Sequence, residues 1–303
     1  MSQKRYLGLE LSGAKNAKTT LAVLEYYPRE KKVFLLDIHA GIGAEENLSS
    51  DEVLIQTIQD HADAHADLKM GVSVPLTLPP CITCTRKACA SAGQCQSPEV
   101  KWMKNYFQRT QPHSKKTTSR HKALKREFFT PYTQRPVELW IRGEVMPKLP
   151  PKIRFELDET LGSNKAPLTA RMHYLKPFFE QYQMHEVLPK LTVALLMPYL
   201  KIPKKTIQEY RNLEEGVVAR QIILEKMCEN LDIFIYDRDM KKITQNINAF
   251  DAFLCAYTVL LSDRNECVQP PRNFPTASGW VQIPKSPLLD PNASHDDEDE
   301  EET

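Results

Sequence analysis

The chain has 303 residues, of which 41% are hydrophobic and 26% are charged, proportions typical of a globular protein with a sizeable core. Its net charge is +1, and no apolar run approaches the roughly 18 residues needed to cross a bilayer. The first residues lack the long apolar stretch of a secretory signal peptide. We therefore expect a cytoplasmic protein with no membrane partner, which excludes membrane-spanning channels and transporters.

A block of seven consecutive acidic residues occupies positions 296–302. Without these seven negative charges, residues 1–295 carry a net charge of +8. Such a block repels itself and cannot bury apolar area, so we expect residues 286–303 to form a disordered acidic tail. The tail would keep the protein soluble, or screen its basic body from non-specific polyanions.

The N-terminal stretch predicts three strands in direct succession. In residues 6–11 leucines alternate with other residue types, which is the period-two pattern of a strand. Apolar runs at 21–27 and 33–38 follow, separated by a small polar loop and a turn. Glu10 ends the first strand beside the glycine-containing loop, a position that suits metal or phosphate chemistry. The sequence thus predicts an antiparallel meander with a carboxylate at one end.

A helix and a fourth strand are predicted next. Apolar residues recur at helical spacing after the possible N-cap at 49–51, which predicts a helix to about residue 66. Residues 69–74 then predict a strand that ends at Pro75. A helical crossover returns the chain parallel to its earlier direction, and it should be right-handed. The sheet is therefore expected to be mixed, within an α/β fold.

Residues 76–130 interrupt this pattern, and we expect them to form a Cys-rich, basic insertion. Helices and strands resume at residue 131, so the predicted α/β domain is discontinuous, over 1–75 and 131–285. The elements predicted there are a strand or short helix at 137–145, helices at 170–183, 191–200, 205–229 and 249–261, and short strands at 185–188 and 233–236. The helix at 249–261 is apolar on all sides, as buried helices are, and Asp251 is its only charge.

Three carboxylates occupy positions that suggest chemistry. Glu10 ends the first strand, Glu186 lies in a short apolar segment before Pro189, and Asp251 opens the buried helix. Convergent carboxylates can hold one or two divalent cations and activate water for phosphodiester cleavage. Each also has a simpler explanation: an ion pair at a strand end for Glu10, a surface position for Glu186, and a favourable helix N-terminal charge for Asp251.

The order of four short motifs resembles a known family. Gly-Leu-Glu-Leu-Ser-Gly at 8–13 looks like Gly-x-Asp-x-x-Gly, and Val-Ser-Val-Pro-Leu at 72–76 looks like an Asp-Ala-Pro-Leu segment. Glu-Val-Leu-Pro at 186–189 is similar to Glu-Val-Tyr-Pro, and the start of the buried helix at 251–256 resembles Asp-Ala-x-x-x-Ala. These are the motifs of the predicted RNase H-like nucleases of domain of unknown function 429.

The resemblance implies an RNase H-like mixed sheet, a three-strand antiparallel meander plus parallel strands, flanked by helices. It also implies a metal-dependent nuclease with catalytic Glu10, Glu186 and Asp251, in which Glu10 and Asp251 hold Mg²⁺ or Mn²⁺. Two residues depart from the family pattern, since Glu10 and Ser73 stand where the family has Asp. Because a hydroxyl cannot replace an anionic metal ligand, a one-metal site and an inactive site both stay open.

Four cysteines lie within fifteen residues of the insertion, at Cys81, Cys84, Cys89 and Cys95. Reducing conditions in the cytoplasm disfavour disulfides, and four thiolates can close a tetrahedral site. We therefore predict a structural Zn²⁺ site. An iron–sulfur cluster also takes four thiolates, and a chance cluster of cysteines is the remaining alternative.

Basic residues follow these cysteines, interleaved with aromatic ones, and they predict nucleic acid as a partner. Cationic side chains neutralise phosphates, and aromatic rings stack on unpaired bases. The alternative is a solvated, charged loop. The predicted nucleic-acid-binding residues, which include two lysines of the first loop, are Lys15, Lys18, Lys115, Lys116, Arg120, Lys122, Lys125 and Arg126.

Three functions are compatible with these features. The first is a metal-dependent nuclease that cleaves phosphodiester bonds in DNA or RNA. The second is a nucleic-acid-binding protein that keeps the fold without activity, which Ser73 favours. The third, an ATP-binding fold of the actin and sugar-kinase type, is disfavoured because that architecture duplicates the fold and one copy is found here.

Overall fold

A mixed seven-stranded sheet carries the helices. The computed structural model describes residues 3–15, 17–62, 68–89, 91–110, 129–212 and 214–290. The strands are β1 Lys4–Glu10, β2 Thr19–Tyr27, β3 Lys32–Ile42, β4 Lys69–Val72, β5 Gln183–Val187, β6 Ile233–Phe234 and β7 Val281–Gln282. Their order across the sheet is β6-β3-β2-β1-β4-β5-β7.

The predicted meander and its parallel continuation are confirmed. Strand β1 pairs antiparallel with β2, and β2 pairs antiparallel with β3. Strand β4 pairs parallel with both β1 and β5. The two-residue strands β6 and β7 add parallel pairings at the outer edges, beside β3 and β5.

Helices cover both faces of this sheet. They are α1 Ser50–Ala62, α2 Pro98–Thr110, α3 Pro136–Trp140, α4 Lys165–Leu175, α5 Pro189–Leu200, α6 Lys204–Glu209, α7 Glu215–Asn230, α8 Asp237–Gln245 and α9 Ile247–Asp263. One apolar core joins α5, α7, α8 and α9 to one face, and a second joins α1 and α4 to the other. The sheet is therefore the middle layer of a three-layer α/β arrangement.

The alternation predicted for β1 divides its side chains between these two cores. Leu7 and Leu9 belong to the core under α1 and α4, whereas Tyr6 belongs to the core under α9. Helix α9 is buried on all sides, from Ala249 to Leu261, as its uniformly apolar sequence predicts. It lies over the middle strands of the sheet, and this position decides where Asp251 stands.

Several element boundaries differ from those predicted. The helix expected at 170–183 ends earlier, because Pro177 converts the chain after α4 into the 3-10 turn Lys176–Phe179. The helix expected at 205–229 is divided into α6 and α7, because the chain turns between them. The segment at 137–145 is helical, with α3 continuing as the π-helical turn Ile141–Val145.

The described part of the insertion contains a helix that was not predicted. Helix α2 packs against α3 through Met103, Tyr106 and Leu139. Trp102 stacks on Tyr106 with ring centroids 4.9 Å apart, and Tyr106 is buried. Tyr106 is therefore a packing residue, and it does not provide a surface for nucleic-acid bases.

The C-terminal residues of the described chain pack onto the body of the protein. Pro287–Leu289 forms a 3-10 turn, and Leu288 and Leu289 contact the core under α9. The acidic residues 296–302 lie outside the described residues. Among the helices that the structure describes, none is long and apolar enough to cross a membrane.

Candidate active site

Two glycines allow α9 to approach the sheet at backbone contact. A β-carbon on Gly8 of β1 would lie 1.9 Å from the Ala252 carbonyl oxygen and 2.4 Å from the Ala256 nitrogen. A β-carbon on Gly71 of β4 would lie 2.4 Å from the Cys255 carbonyl oxygen. Real β-carbons do not tolerate such distances, so both positions require glycine, and α9 lies directly on β1 and β4.

An ion-pair cluster fixes the far end of the same helix. The Asp263 carboxylate accepts hydrogen bonds from Lys4 Nζ at 2.7 Å, Tyr6 Oη at 2.8 Å and Lys69 Nζ. Burial alone would raise the pKa of Asp263, but these hydrogen bonds lower that pKa to about 2. Helix α9 is thereby held to β1 and β4 at its C-terminal end as well as along its length.

This packing brings Glu10 and Asp251 into the lining of one cavity of about 200 Å³. Glu10 is the last residue of β1, and Asp251 stands near the start of α9, next to the Ala252 that contacts Gly8. The two carboxylates, about 240 positions apart in the sequence, are therefore neighbours in the fold.

Each of these carboxylates keeps a buried oxygen atom without a hydrogen-bond partner in the described structure. These atoms are Glu10 Oε2 and Asp251 Oδ1, and the Ser73 hydroxyl lies in the same cavity, close enough to Glu10 to oppose the rise in the pKa of that carboxyl group. The other Asp251 oxygen accepts a hydrogen bond from Arg211 Nη1 at 2.6 Å. Buried acceptors without donors are costly, so the arrangement favours binding of a cation or a proton between them.

The pKa shifts of Glu10 and Asp251 also favour a cation or a proton between the two carboxyl groups. Burial raises the pKa of Glu10 to about 7, and the nearby charge of Asp251 adds to the rise. Burial also raises the pKa of Asp251, against the opposing effect of Arg211. A pair of this kind holds a proton near neutral pH, and a divalent cation would displace that proton.

Three cationic side chains line the same cavity. Lys165, the first residue of α4, donates a hydrogen bond from Nζ to the Ser73 carbonyl oxygen at 3.0 Å. Lys190 follows the first residue of α5, and burial and the charge of Arg211 lower its pKa. Arg211 lies in the turn between α6 and α7, with 37% of its side chain exposed. These charges suit an anionic group such as a phosphate.

Glu186 lies close by but has other partners. Arg135 Nη2 contacts its Oε1 at 2.6 Å, and Arg135 Nη1 contacts its Oε2 at 2.8 Å. The Leu76 backbone N–H donates to Oε2 at 3.1 Å. Arg135 also pairs with Glu138 at 3.0 Å, and all three charged side chains are buried. Glu186 therefore holds Arg135 in place, and the catalytic role predicted for it depends on the resemblance alone.

Ser73 lies where the family resemblance predicts an Asp, and its side chain reaches the cavity lined by Glu10 and Asp251. Two other acidic residues on the cavity wall are Glu156 and Asp158, from the segment that precedes α4. Asp158 is close enough to Lys190 to oppose the fall in the pKa of that lysine. The serine thus faces the carboxylate pair without adding a negative charge to it.

The basic residues predicted to bind nucleic acid lie elsewhere or outside the described chain. Lys15 and Lys18 are exposed in the loop between β1 and β2, where the Lys18 carbonyl oxygen accepts a hydrogen bond from Asn248 of α9 at 3.2 Å. The other six fall within residues 111–128, which the structure does not describe. They are Lys115, Lys116, Arg120, Lys122, Lys125 and Arg126.

The four cysteines of the predicted zinc site lie between β4 and α2 as free thiols. Burial raises the pKa of Cys81, and the neighbouring Cys95, Cys89 and Cys84 contribute to this rise. Within the described residues, one set of three ligand atoms from His, Cys, Asp or Glu lies mutually within 4.8 Å, and these cysteines do not form it. The Zn²⁺ or iron–sulfur role of the cysteines stays a prediction.

The cations of the cavity were not predicted from the sequence. Lys165, Lys190 and Arg211 stand singly in turns and at helix starts, where a charged residue carries no distinguishing pattern. The one indication in the sequence was the position of Lys190, which directly follows the Glu-Val-Leu-Pro motif. Their convergence depends on the approach of α4, α5 and the α6–α7 turn to one end of the sheet.

No protein-family model, curated protein or solved structure matches the chain.

Proposed function

We propose that this protein is a divalent-metal-dependent phosphodiesterase of RNase H-like fold that cleaves DNA or RNA. The observation that carries the proposal is the pairing of Glu10 and Asp251. They line one cavity, each has a buried oxygen atom without a partner in the described structure, and three cationic side chains face them.

The strand arrangement supports the fold assignment. The central order β3-β2-β1-β4-β5 places an antiparallel meander beside two parallel strands, with one carboxylate at the end of β1 and one on α9. This is the layout that the family resemblance implies. The chain also connects β3 to β4 through α1, as a helical crossover between parallel strands requires.

The donor atoms fit Mg²⁺ or Mn²⁺, because both ions prefer oxygen ligands and often use one or two carboxylates. A bound ion of this class would supply Lewis-acid polarisation of the phosphate and a more acidic water. Glu10 Oε2 and Asp251 Oδ1 are the atoms that would hold it. Arg211 is compatible with this role, because it contacts Asp251 Oδ2 at 2.6 Å and Oδ1 keeps no hydrogen-bond partner in the described structure.

The residues of the chain itself account for substrate binding at the same cavity. Lys165, Lys190 and Arg211 would neutralise phosphate oxygens and orient the phosphodiester toward the carboxylates. Arg211 contributes a planar set of donors suited to phosphate, whereas the lysines contribute compact point charges. These contacts do not read base sequence, so they support a phosphodiester substrate without selecting DNA or RNA.

Ser73 favours a second candidate function. Its hydroxyl occupies the cavity where the resembling family has a carboxylate, so the site has one metal ligand fewer than that family. A protein that binds nucleic acid without cleaving it would keep the cationic wall and lose the activity.

The experiment that separates the two functions is cleavage of labelled single- and double-stranded DNA and RNA with Mn²⁺. We expect cleavage by the wild-type protein and its loss in Asp251→Asn, while Asp237→Asn, an exposed control on α8, stays active. Salt-sensitive binding without cleavage, unaffected by Asp251→Asn, would instead support the binding protein. If the protein neither cleaves nor binds any of these nucleic acids, both functions are wrong.

A further inference from the structure

A second cluster of metal-ligating side chains lies on the other face of the sheet. Asp37 and His39 of β3 stand opposite Val23 and Leu21 of β2 in the strand register. Residues directly opposite in an antiparallel pair point to the same face, and Val23 and Leu21 face the core under α1. The third member, His61, comes from the last turn of α1.

The ligand atoms of these three residues converge. His39 Nε2 and His61 Nε2 lie 2.7 Å apart, and His39 Nε2 lies 3.3 Å from Asp37 Oδ2. All three side chains are half-buried, and one ligand atom from each lies within 4.8 Å of the others. Ligands about 2.0–2.1 Å from a tetrahedral ion stand about 3.3 Å apart, so small adjustments would suffice for coordination.

Neighbouring groups hold these ligands in position. The Ile38 backbone N–H donates to Asp37 Oδ1 at 2.7 Å, which leaves Oδ2 directed to His39. Arg5 Nη1 donates to the His61 carbonyl oxygen at 3.0 Å and fixes the end of α1. Such outer contacts orient the ligands of metal sites and are part of their design.

We propose that Asp37, His39 and His61 form a binding site for a borderline divalent ion of the Zn²⁺ class, which clamps the end of α1 to β3. Two imidazole nitrogens and one carboxylate oxygen suit Zn²⁺, Co²⁺ or Ni²⁺, whereas the oxygen-only pair Glu10 and Asp251 suits Mg²⁺ or Mn²⁺. The two sites also lie on opposite faces, because Glu10 shares the face of Tyr6 and Gly8 under α9. This inference is independent of the proposed nuclease function.

The test is a Co²⁺ titration of the chelator-treated, full-length protein, followed by the visible absorption of the bound ion. The Cys81→Ser/Cys84→Ser background removes sulfur ligands of the predicted cysteine site. We expect one Co²⁺ at this site in each chain, competed by Zn²⁺, with affinity falling at least about tenfold in His39→Ala and in His61→Ala. The control is His65→Ala, a histidine close in sequence but outside the described residues.

Two results would overturn the proposal: an absence of Co²⁺ binding, or binding that is unchanged in both His39→Ala and His61→Ala. A Zn²⁺-dependent rise in melting temperature that is present in the control and lost in both variants would give a second, independent confirmation. Mn²⁺-dependent cleavage separates the two proposals, because it should be retained in His39→Ala and lost in Asp251→Asn, whichever way the Co²⁺ titration turns out.

Discussion

The Ala252 carbonyl oxygen of α9 lies 1.9 Å from the place where a β-carbon on Gly8 would stand. This contact sets the distance between α9 and β1, and with it the distance between Asp251 and Glu10. A shift of α9 by one residue in either direction would put an apolar side chain in the place of Asp251, beside the end of β1. The candidate active site is therefore built on a packing contact between two backbones.

The first prediction concerns this contact. Gly8→Ala should lower the free energy of unfolding by about 3 kcal/mol, because neither backbone can move without disturbing the core. It should also weaken Mn²⁺ binding by displacing Asp251. Denaturant unfolding and Mn²⁺ titration measure the two effects.

Gly93→Ala provides the matched control, because the nearest atom to a β-carbon there is a Ser91 hydroxyl at 3.9 Å. We expect that variant to unfold within about 0.5 kcal/mol of wild type, as surface substitutions usually do. Equal stability of Gly8→Ala and Gly93→Ala would contradict the packing argument.

The second prediction concerns pH. The pKa of Glu10 rises from 4.5 to about 7 on folding, so the group favours the folded state below about pH 4.5 and loses this contribution as pH rises to 7. Because Mn²⁺ requires the ionised carboxylate, the Mn²⁺-induced rise in melting temperature should be larger at pH 8 than at pH 5.5. Thermal melts at both pH values, with and without Mn²⁺, measure this difference.

Glu10→Gln removes the titrating group, so its melting temperature should respond to Mn²⁺ weakly and equally at both pH values. The prediction fails if the wild-type response is the same at pH 5.5 and pH 8.

The third prediction concerns Ser73. Ser73→Asp would add a carboxylate to the pair Glu10 and Asp251, in a cavity where the charges already repel. Without metal the variant should be less stable than wild type, by about 1–3 kcal/mol for a buried charge without a partner. With Mn²⁺ it should regain stability and cleave faster, and Ser73→Asn serves as the neutral control of similar size.

The fourth prediction concerns the buried ion-pair cluster. Glu186→Gln removes one of the two carboxylates that neutralise Arg135, whose side chain is 1% exposed. We expect a loss of about 3 kcal/mol in unfolding free energy, since breaking a buried pair leaves charge uncompensated. Mn²⁺ affinity should change little, and a loss as large as that in Asp251→Asn would instead make Glu186 a metal ligand.

Much of the fold follows from local patterns in the sequence. The alternation in β1 predicts a strand and the uniformly apolar sequence of α9 predicts a buried helix, and both are observed. The two-residue strands β6 and β7 are harder to predict from the sequence, because two residues are too few to show the alternation of a strand. The position of β6 was nevertheless indicated by the apolar run at 233–236, whereas nothing in the sequence marks β7.

Only part of the candidate active site could be predicted from the sequence. Glu10 and Asp251 carry a signal because small residues accompany them, Gly8 in one motif and Ala252 in the other, and those residues allow the helix to approach. Glu186 also lies in one of the motifs, yet its partner Arg135 is 51 positions away and has no motif. Ion pairs between distant positions depend on the tertiary fold, which local patterns do not report.

The most direct test of the central claim is the Mn²⁺ affinity of three proteins, measured from the electron paramagnetic resonance signal of free Mn²⁺. Wild type and His39→Ala should bind one Mn²⁺ with equal affinity, and Asp251→Asn should bind it at least about tenfold more weakly. If Asp251→Asn binds Mn²⁺ as tightly as wild type, Glu10 and Asp251 do not form the metal site and the proposed function is wrong.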